Sequence, residues 1–149
     1  MYRDILLALH IASVAAWLGC NFTQLFLGPW FARRGGEVAA TWYEATSRLA
    51  SRYYNVAGTV LAVTGVLLVL KVDYAWSAGF VGVGITVVLI GAILGTAFFA
   101  PTGKRLADLT REGDEAARKS LDRRYVAVAC LDTLLVLVAV LAMVKRWHA

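Results

Sequence analysis

Cysteine, histidine, methionine and proline are all scarce in this 149-residue chain, which has two of each. Cys20 and Cys130 belong to no CxxC pair and stand at no ligand spacing from a histidine, so neither a disulfide framework nor a zinc site is indicated. The sequence also lacks a phosphate-binding glycine loop, a histidine-rich metal box and a Ser/His/Asp grouping. These absences exclude the common constellations of soluble enzymes.

Apolar residues are abundant instead. Hydrophobic residues make up 60% of the chain, against roughly 45–50% in a soluble domain. Four apolar stretches, residues 5–27, 55–71, 79–100 and 125–144, approach the ~20 residues that a hydrocarbon layer of about 30 Å requires. The first has no small-residue cleavage site where a secretory signal needs one, so we expect it to be retained. The predicted fold is all-α: a single-domain integral membrane protein, built as an up-and-down four-helix bundle.

Basic residues are distributed unequally between the two sides that four spans define. Residues 28–54 and 101–124 hold eleven of the fifteen Lys and Arg residues. The other four are Arg3, Lys71, Lys145 and Arg146. Because short loops rich in Lys and Arg stay in the cytoplasm, this division predicts that both termini face outward. The basic residues flank the spans and alternate with acidic ones, so the expected partner is membrane lipid, with anionic headgroups, and not nucleic acid.

The two basic connections have helical character. Residues 37–54 repeat apolar side chains at helical spacing, which predicts an interfacial cytoplasmic helix running into the second span. Pro29 and Gly35-Gly36 predict a break before it, and Pro101 and Gly103 predict the end of the third span. Residues 101–124 then form a predicted helical hairpin. A group of aromatic residues is expected to anchor in the headgroup layer: Trp30, Trp42, Tyr43, Tyr53 and Tyr54.

Each span has a candidate interior face at a rotation of 100° per residue. On the first span this face comprises His10, Ser13, Trp17, Cys20, Asn21, Gln24 and Gly28, opposite a lipid-facing group that includes Leu6, Leu7 and Leu9. On the second it comprises Asn55, Gly58, Thr59, Ala62 and Val66. On the third it comprises Gly84, Val88, Gly91 and Gly95, where small residues let helix backbones approach. On the fourth it comprises Tyr125, Ala129, Asp132, Val136, Ala139 and Met143.

Asp132 and His10 are the ionisable residues on these faces. An ionised carboxylate inside a span costs about 2.5–3.5 kcal/mol unless it is paired or protonated. We expect Asp132 to pair with Arg52, or with Arg48 as second choice, and a proton-relay role is the alternative. His10 has three possible roles: hydrogen bonding across helices, ligation of haem or copper, or proton transfer.

The residues "LHIASVAAWLG" at 9–19, the arginines of 33–52 and "AGTVLAVTGVLLVL" at 57–70 resemble a group of small bacterial membrane proteins. This group contains copper-resistance D-type proteins and small membrane-bound protoporphyrinogen oxidases. The resemblance implies the bacterial inner membrane and a role for His10 in haem binding or catalysis. Members of the oxidase type in this group also carry a histidine and a lysine around the third span, and this chain has neither within it.

A haem b would therefore need its second axial ligand from Met143 on the neighbouring helix or from His10 of a second copy in a homodimer. The only other His and Met residues are Met1 and His148. The sequence thus predicts a small bacterial inner-membrane protein with haem, metal or an apolar ligand bound on an interior face near His10. The alternative is a non-enzymatic accessory subunit or scaffold of a membrane complex, associated with a partner membrane subunit, whose polar residues only hold its own helices together.

Overall fold

The computed structural model describes residues 1–72 and 74–145, so Arg146 and His148 lie outside the described residues. Every regular element among those described is helical. The helices are α1 (Tyr2–Arg34), α2 (Gly36–Arg48), α3 (Tyr54–Val72), α4 (Gly79–Ile93), α5 (Ala100–Glu112) and α6 (Glu115–Lys145). Two π-helical segments, Leu49–Tyr53 and Leu94–Phe99, join α2 to α3 and α4 to α5.

The described chain thus forms four long helices, each long and apolar enough to cross a membrane: Tyr2–Arg34, Gly36–Lys71, Gly79–Glu112 and Glu115–Lys145. They contain 31 to 36 residues, or roughly 50 Å at 1.5 Å per residue, against a hydrocarbon layer of about 30 Å. Each predicted apolar stretch lies inside one of them. Short connections make neighbours in the chain antiparallel, and the apolar portions pack in the cyclic order α1, α3, α4, α6.

Glycines, not prolines, end the helices at the basic connections. Gly35 and Gly113 adopt φ values of 64° and 75°, which residues with a side chain rarely adopt. The breaks predicted at Pro29 and Pro101 are wrong, because α1 continues to Arg34 and α4 continues through a π segment into α5. Proline has no N–H to donate, and the wider π turn just before Pro101 accommodates the missing hydrogen bond without ending the helix.

Beyond the apolar portions, α2 and α5 pack closely together. A Cβ on Gly103 would lie 3.0 Å from the Tyr43 carbonyl oxygen, so only glycine permits this approach. The Arg111 guanidinium donates to both carboxylate oxygens of Glu37, at 3.1 and 2.7 Å, and to Glu44 at 2.7 Å. These hydrogen bonds hold the Glu37 and Glu44 pKa values below their ordinary range. The two predicted connections therefore pack against each other. We call the pair of helices α2 and α5 the α2–α5 layer.

Tyr43, predicted to anchor in the headgroup layer, is packed in the interior of this layer and is only 3% exposed. Its hydroxyl donates to Asp122 Oδ1 at 3.0 Å and accepts from Arg118 Nη1 at 3.3 Å. Arg118 is also buried and forms an ion pair with Glu115 at 2.8 Å. Burial of the phenol, with the Asp122 charge beside it, raises the pKa of Tyr43 to about 12.

This pKa predicts a loss of stability at alkaline pH. The folded state favours the protonated phenol, so its contribution is complete below the ordinary tyrosine pKa of about 10 and is lost as the pH rises toward about 12. Thermal unfolding of the wild type and Tyr43→Phe in detergent should therefore show a stability difference that shrinks over this interval. A difference independent of pH would contradict the assignment, and Tyr53→Phe, at an exposed tyrosine, is the control.

Candidate functional site

The buried face of α1 organises the interior of the bundle. Its buried residues are Leu6, His10, Ser13, Trp17 and Asn21. Ser13 satisfies its hydroxyl locally by donating to the Leu9 carbonyl at 2.8 Å. Leu6 was expected to face lipid but is buried, because it precedes His10 by four residues and so lies on the same side of the helix.

Trp17 occupies the centre of the bundle and is 3% exposed. Its ring lies against two glycines: a Cβ on Gly58 of α3 would approach it to 3.3 Å, and a Cβ on Gly91 of α4 would overlap it. Gly91 was expected to bring helix backbones together. The space at Gly91 is instead filled by the Trp17 indole of α1.

The indole N–H of Trp17 donates to Asp132 Oδ2 at 3.1 Å. The same oxygen accepts from Asn21 Nδ2 at 2.9 Å, and Asn21 also donates to Thr133 Oγ1 at 3.1 Å. The Tyr54 hydroxyl donates to the Asn21 side-chain oxygen and accepts from Gln24 Nε2 at 2.9 Å. We call this group the Asp132 network: Trp17, Asn21, Gln24, Tyr54, Asp132 and Thr133.

The partner predicted for Asp132 is wrong. Arg52 and Arg48 are both exposed, whereas the Asp132 side chain is buried at 4% exposure. The hydrogen-bond partners of Asp132 among the described residues are the neutral groups of Trp17 and Asn21. The arginine side chains project from the outside of α2 and of the π segment, so they do not reach the interior carboxylate.

The interior face predicted for the second span is correct at Gly58, which adjoins Trp17, but misplaced at Asn55 and Thr59. Asn55 and Thr59 are exposed, and each donates to a backbone carbonyl of the preceding turn at 2.7 Å, so neither needs an interior partner. The buried residues of α3 over 54–71 are Ala57, Leu61, Thr64 and Val69. The true face is rotated by about one residue, or 100°, from the predicted one. Tyr54, expected in the headgroup layer, begins this face and packs edge-on against Trp17.

A small cavity of about 30 Å³ adjoins the Asp132 network. Its walls include Asp132, Tyr125 and residues of both π segments, namely Ala50, Gly95 and Phe99. The two π segments face each other here, since a Cβ on Gly95 would lie 3.8 Å from the Ala50 carbonyl oxygen. A cavity of this size, with several polar groups in its walls, suits one water molecule.

A larger cavity of about 430 Å³ lies on the other side of Trp17. It is enclosed by α1, α3, α4 and α6, and its walls are predominantly aliphatic. Trp17 forms the end nearest the centre of the bundle, while Arg3, Tyr74 and Trp76 line the end where α1 begins. His10 and Met143 both line this space, hereafter the His10 cavity.

His10 is held by Thr64, with 3.1 Å between His10 Nδ1 and Thr64 Oγ1. Since the Thr64 hydroxyl donates to the Val60 carbonyl at 2.6 Å, its oxygen is left to accept the Nδ1 proton. In the tautomer whose Nδ1 carries the proton, Nε2 then carries the lone pair. Gly65 makes room for the ring, because a Cβ there would lie 3.2 Å from His10 Cε1. The sequence alone did not identify Thr64 as this partner.

The His10 cavity opens sideways between α3 and α4. The lining residues on these two helices include four with exposed side chains: Ala62, Val66, Ile85 and Leu89. On α4, Gly84 marks the opposite, closed wall, where a Cβ would lie 2.7 Å from the Met143 terminal methyl. A ligand could therefore enter laterally, from the medium that surrounds the apolar helices.

The described residues contain no group of three or more His, Cys, Asp or Glu side chains arranged to hold a metal ion. The expectation of a copper or haem site consequently rests on His10 and Met143 alone, and the geometry adds no support for it. Comparison of the chain with protein-family models, with curated proteins and with solved structures finds no match.

Proposed function

We propose that this chain is a multi-pass bacterial inner-membrane protein, with both termini outside, that binds an apolar or amphipathic ligand in the His10 cavity. The observation that carries the proposal is an aliphatic space of about 430 Å³, open laterally and containing one buried histidine. Ligand pockets of small molecules typically measure about 300–1,000 Å³ and combine apolar walls with a few polar groups.

The surface of the bundle supports insertion into a membrane. Only 22 to 28% of the residues in each apolar window are buried. Large apolar side chains such as Ile11, Phe26, Leu89 and Leu134 are instead exposed. Contiguous apolar surface of this extent requires a nonpolar surrounding. The excess of basic residues in 28–54 and 101–124 supports the outward orientation of the termini, and the resemblance of residues 9–19 and 57–70 supports the bacterial inner membrane.

Hydrogen bonding gives the cavity a chemical preference. In the tautomer that donates from Nδ1 to Thr64, His10 keeps a lone pair at Nε2. A ligand group that can donate a hydrogen bond, such as a hydroxyl, would meet this lone pair. The remaining apolar walls favour an apolar ligand, because each Å² of apolar surface removed from water contributes about 25 cal/mol to binding.

Filling the cavity tests this proposal. Leucine at Gly84 would displace Met143 and occupy the cavity, whereas leucine at Gly82 projects into open space on the same helix. A brominated long-chain alcohol quenches tryptophan fluorescence on contact, and Trp17 and Trp76 line the cavity. We expect saturable quenching in the wild type and Gly82→Leu that is lost in Gly84→Leu.

Equal, non-saturable quenching in all three proteins would contradict ligand binding and favour the accessory-subunit or scaffold alternative. A visible spectrum of the purified protein, oxidised and reduced, tests the haem version separately. A Soret band that disappears in His10→Ala would establish haem, and a colourless preparation would eliminate it.

A further inference from the structure

The end of the His10 cavity where α1 begins has basic side chains. Arg3, in the first turn of α1, lines the cavity together with Tyr74 and the half-exposed Trp76. Lys71, at the end of the adjacent α3, lies at the same end, with its Nζ 5.7 Å from the Tyr2 ring centroid. The carboxylate of Asp4 pairs with the Met1 amino group at 2.9 Å and not with Arg3. Among the described residues, no carboxylate forms an ion pair with Arg3 or Lys71.

The length of the cavity matches one leaflet of a bilayer. Arg3 and Trp17 are fourteen residues apart on α1, which corresponds to about 21 Å along the helix axis. Half of a bilayer, including its headgroup layer, measures about 20–22 Å. A molecule with its polar end beside Arg3 would therefore have the end of its chain at Trp17.

We propose that the ligand is a single-chain anionic amphiphile, with its carboxylate or phosphate at Arg3 and its hydrocarbon chain in the His10 cavity. This inference rests on the proposed function. The guanidinium supplies paired N–H donors that match such oxyanions. Trp17 blocks the cavity at the centre of the bundle, so the chain ends there. The lateral opening between α3 and α4 admits the chain while the head stays at the membrane surface.

The test compares amphiphiles that share a chain and differ in their heads. A brominated long-chain carboxylate, the matching alcohol and the matching quaternary ammonium are titrated against the protein in detergent, with tryptophan quenching as the readout. In the wild type, the carboxylate should bind several-fold more tightly than the alcohol, and the ammonium most weakly. Arg3→Gln should weaken carboxylate binding about fivefold and leave alcohol binding unchanged.

Arg33→Gln is the control, because Arg33 is exposed at the opposite end of α1. A carboxylate preference that survives Arg3→Gln, or one that Arg33→Gln abolishes equally, would overturn the head-group assignment while the alcohol still reports on the cavity. Failure of the proposed function itself would give a different result, in which quenching by the alcohol never saturates in the wild type. Competition by unlabelled fatty acid and by lysophosphatidylglycerol then distinguishes a free carboxylate from a lipid phosphate, and failure of both to compete would also overturn the proposal.

Discussion

Asp132→Ala should lower the stability of the folded protein by about 2–4 kcal/mol, because it leaves the indole N–H of Trp17 and one N–H of the Asn21 amide without an acceptor. Asp132→Asn keeps a side-chain oxygen that can accept both hydrogen bonds, so its loss should be nearer 1 kcal/mol. The measurement is reversible unfolding in mixed detergent, followed by helical circular dichroism.

Arg52→Gln is the matched control for these variants. Since Arg52 is exposed and makes no contact with Asp132, its replacement should change stability by less than about 0.5 kcal/mol. The opposite result would be an Arg52→Gln loss as large as that of Asp132→Ala, with no further loss when the two substitutions are combined. That result would support the ion pair that the sequence predicts and contradict the pairing of Asp132 with neutral groups alone.

Gly91→Ala should be the most damaging alanine substitution at a glycine of the apolar helices. The new Cβ would overlap the Trp17 ring, whose indole N–H is already committed to Asp132. Overpacking and displacement of this hydrogen bond together predict a loss of about 3–4 kcal/mol. Gly82→Ala, on the same helix in open space, should stay within about 0.5 kcal/mol of the wild type.

A double-mutant cycle separates overpacking from other effects of the alanine. Trp17→Phe removes the part of the ring that the Gly91 Cβ would meet, and it also removes the hydrogen bond to Asp132. The double variant should therefore be more stable than the sum of the two single losses predicts. Strictly additive losses would show that Gly91 is required for a reason other than room for Trp17.

The sequence predicted the helical architecture because its strongest signals are local. Apolar runs near the length of a hydrocarbon layer predicted four helices, and the structure confirms an all-helical chain, in its described part, with four helices long and apolar enough to span a membrane. The polar residues of α1 repeat at helical spacing, and the structure buries His10, Trp17 and Asn21 on one side. Periodicity along a single helix requires no knowledge of its neighbours.

Partners across helices were harder to predict. Asn55 and Thr59 predict an interior face, but both satisfy their polar groups on their own helix and face outward. Thr64 and Tyr54 lie on the true face of α3, where they meet His10 and the Asp132 network. Because Thr, Ser and Asn can bond to the backbone of the preceding turn, their presence in a span does not reveal which side is buried.

By itself, then, the amino-acid sequence determined the number of long apolar helices and the inward side of α1, since these depend on composition and on the 3.6-residue period. Only the tertiary structure decided that Asp132 meets Trp17 and Asn21 instead of an arginine, that Gly91 receives an indole, and that His10 borders a cavity open between α3 and α4. Each of these depends on the rotation of one helix against another, and a rotation of one residue exchanges an interior side chain for an exterior one.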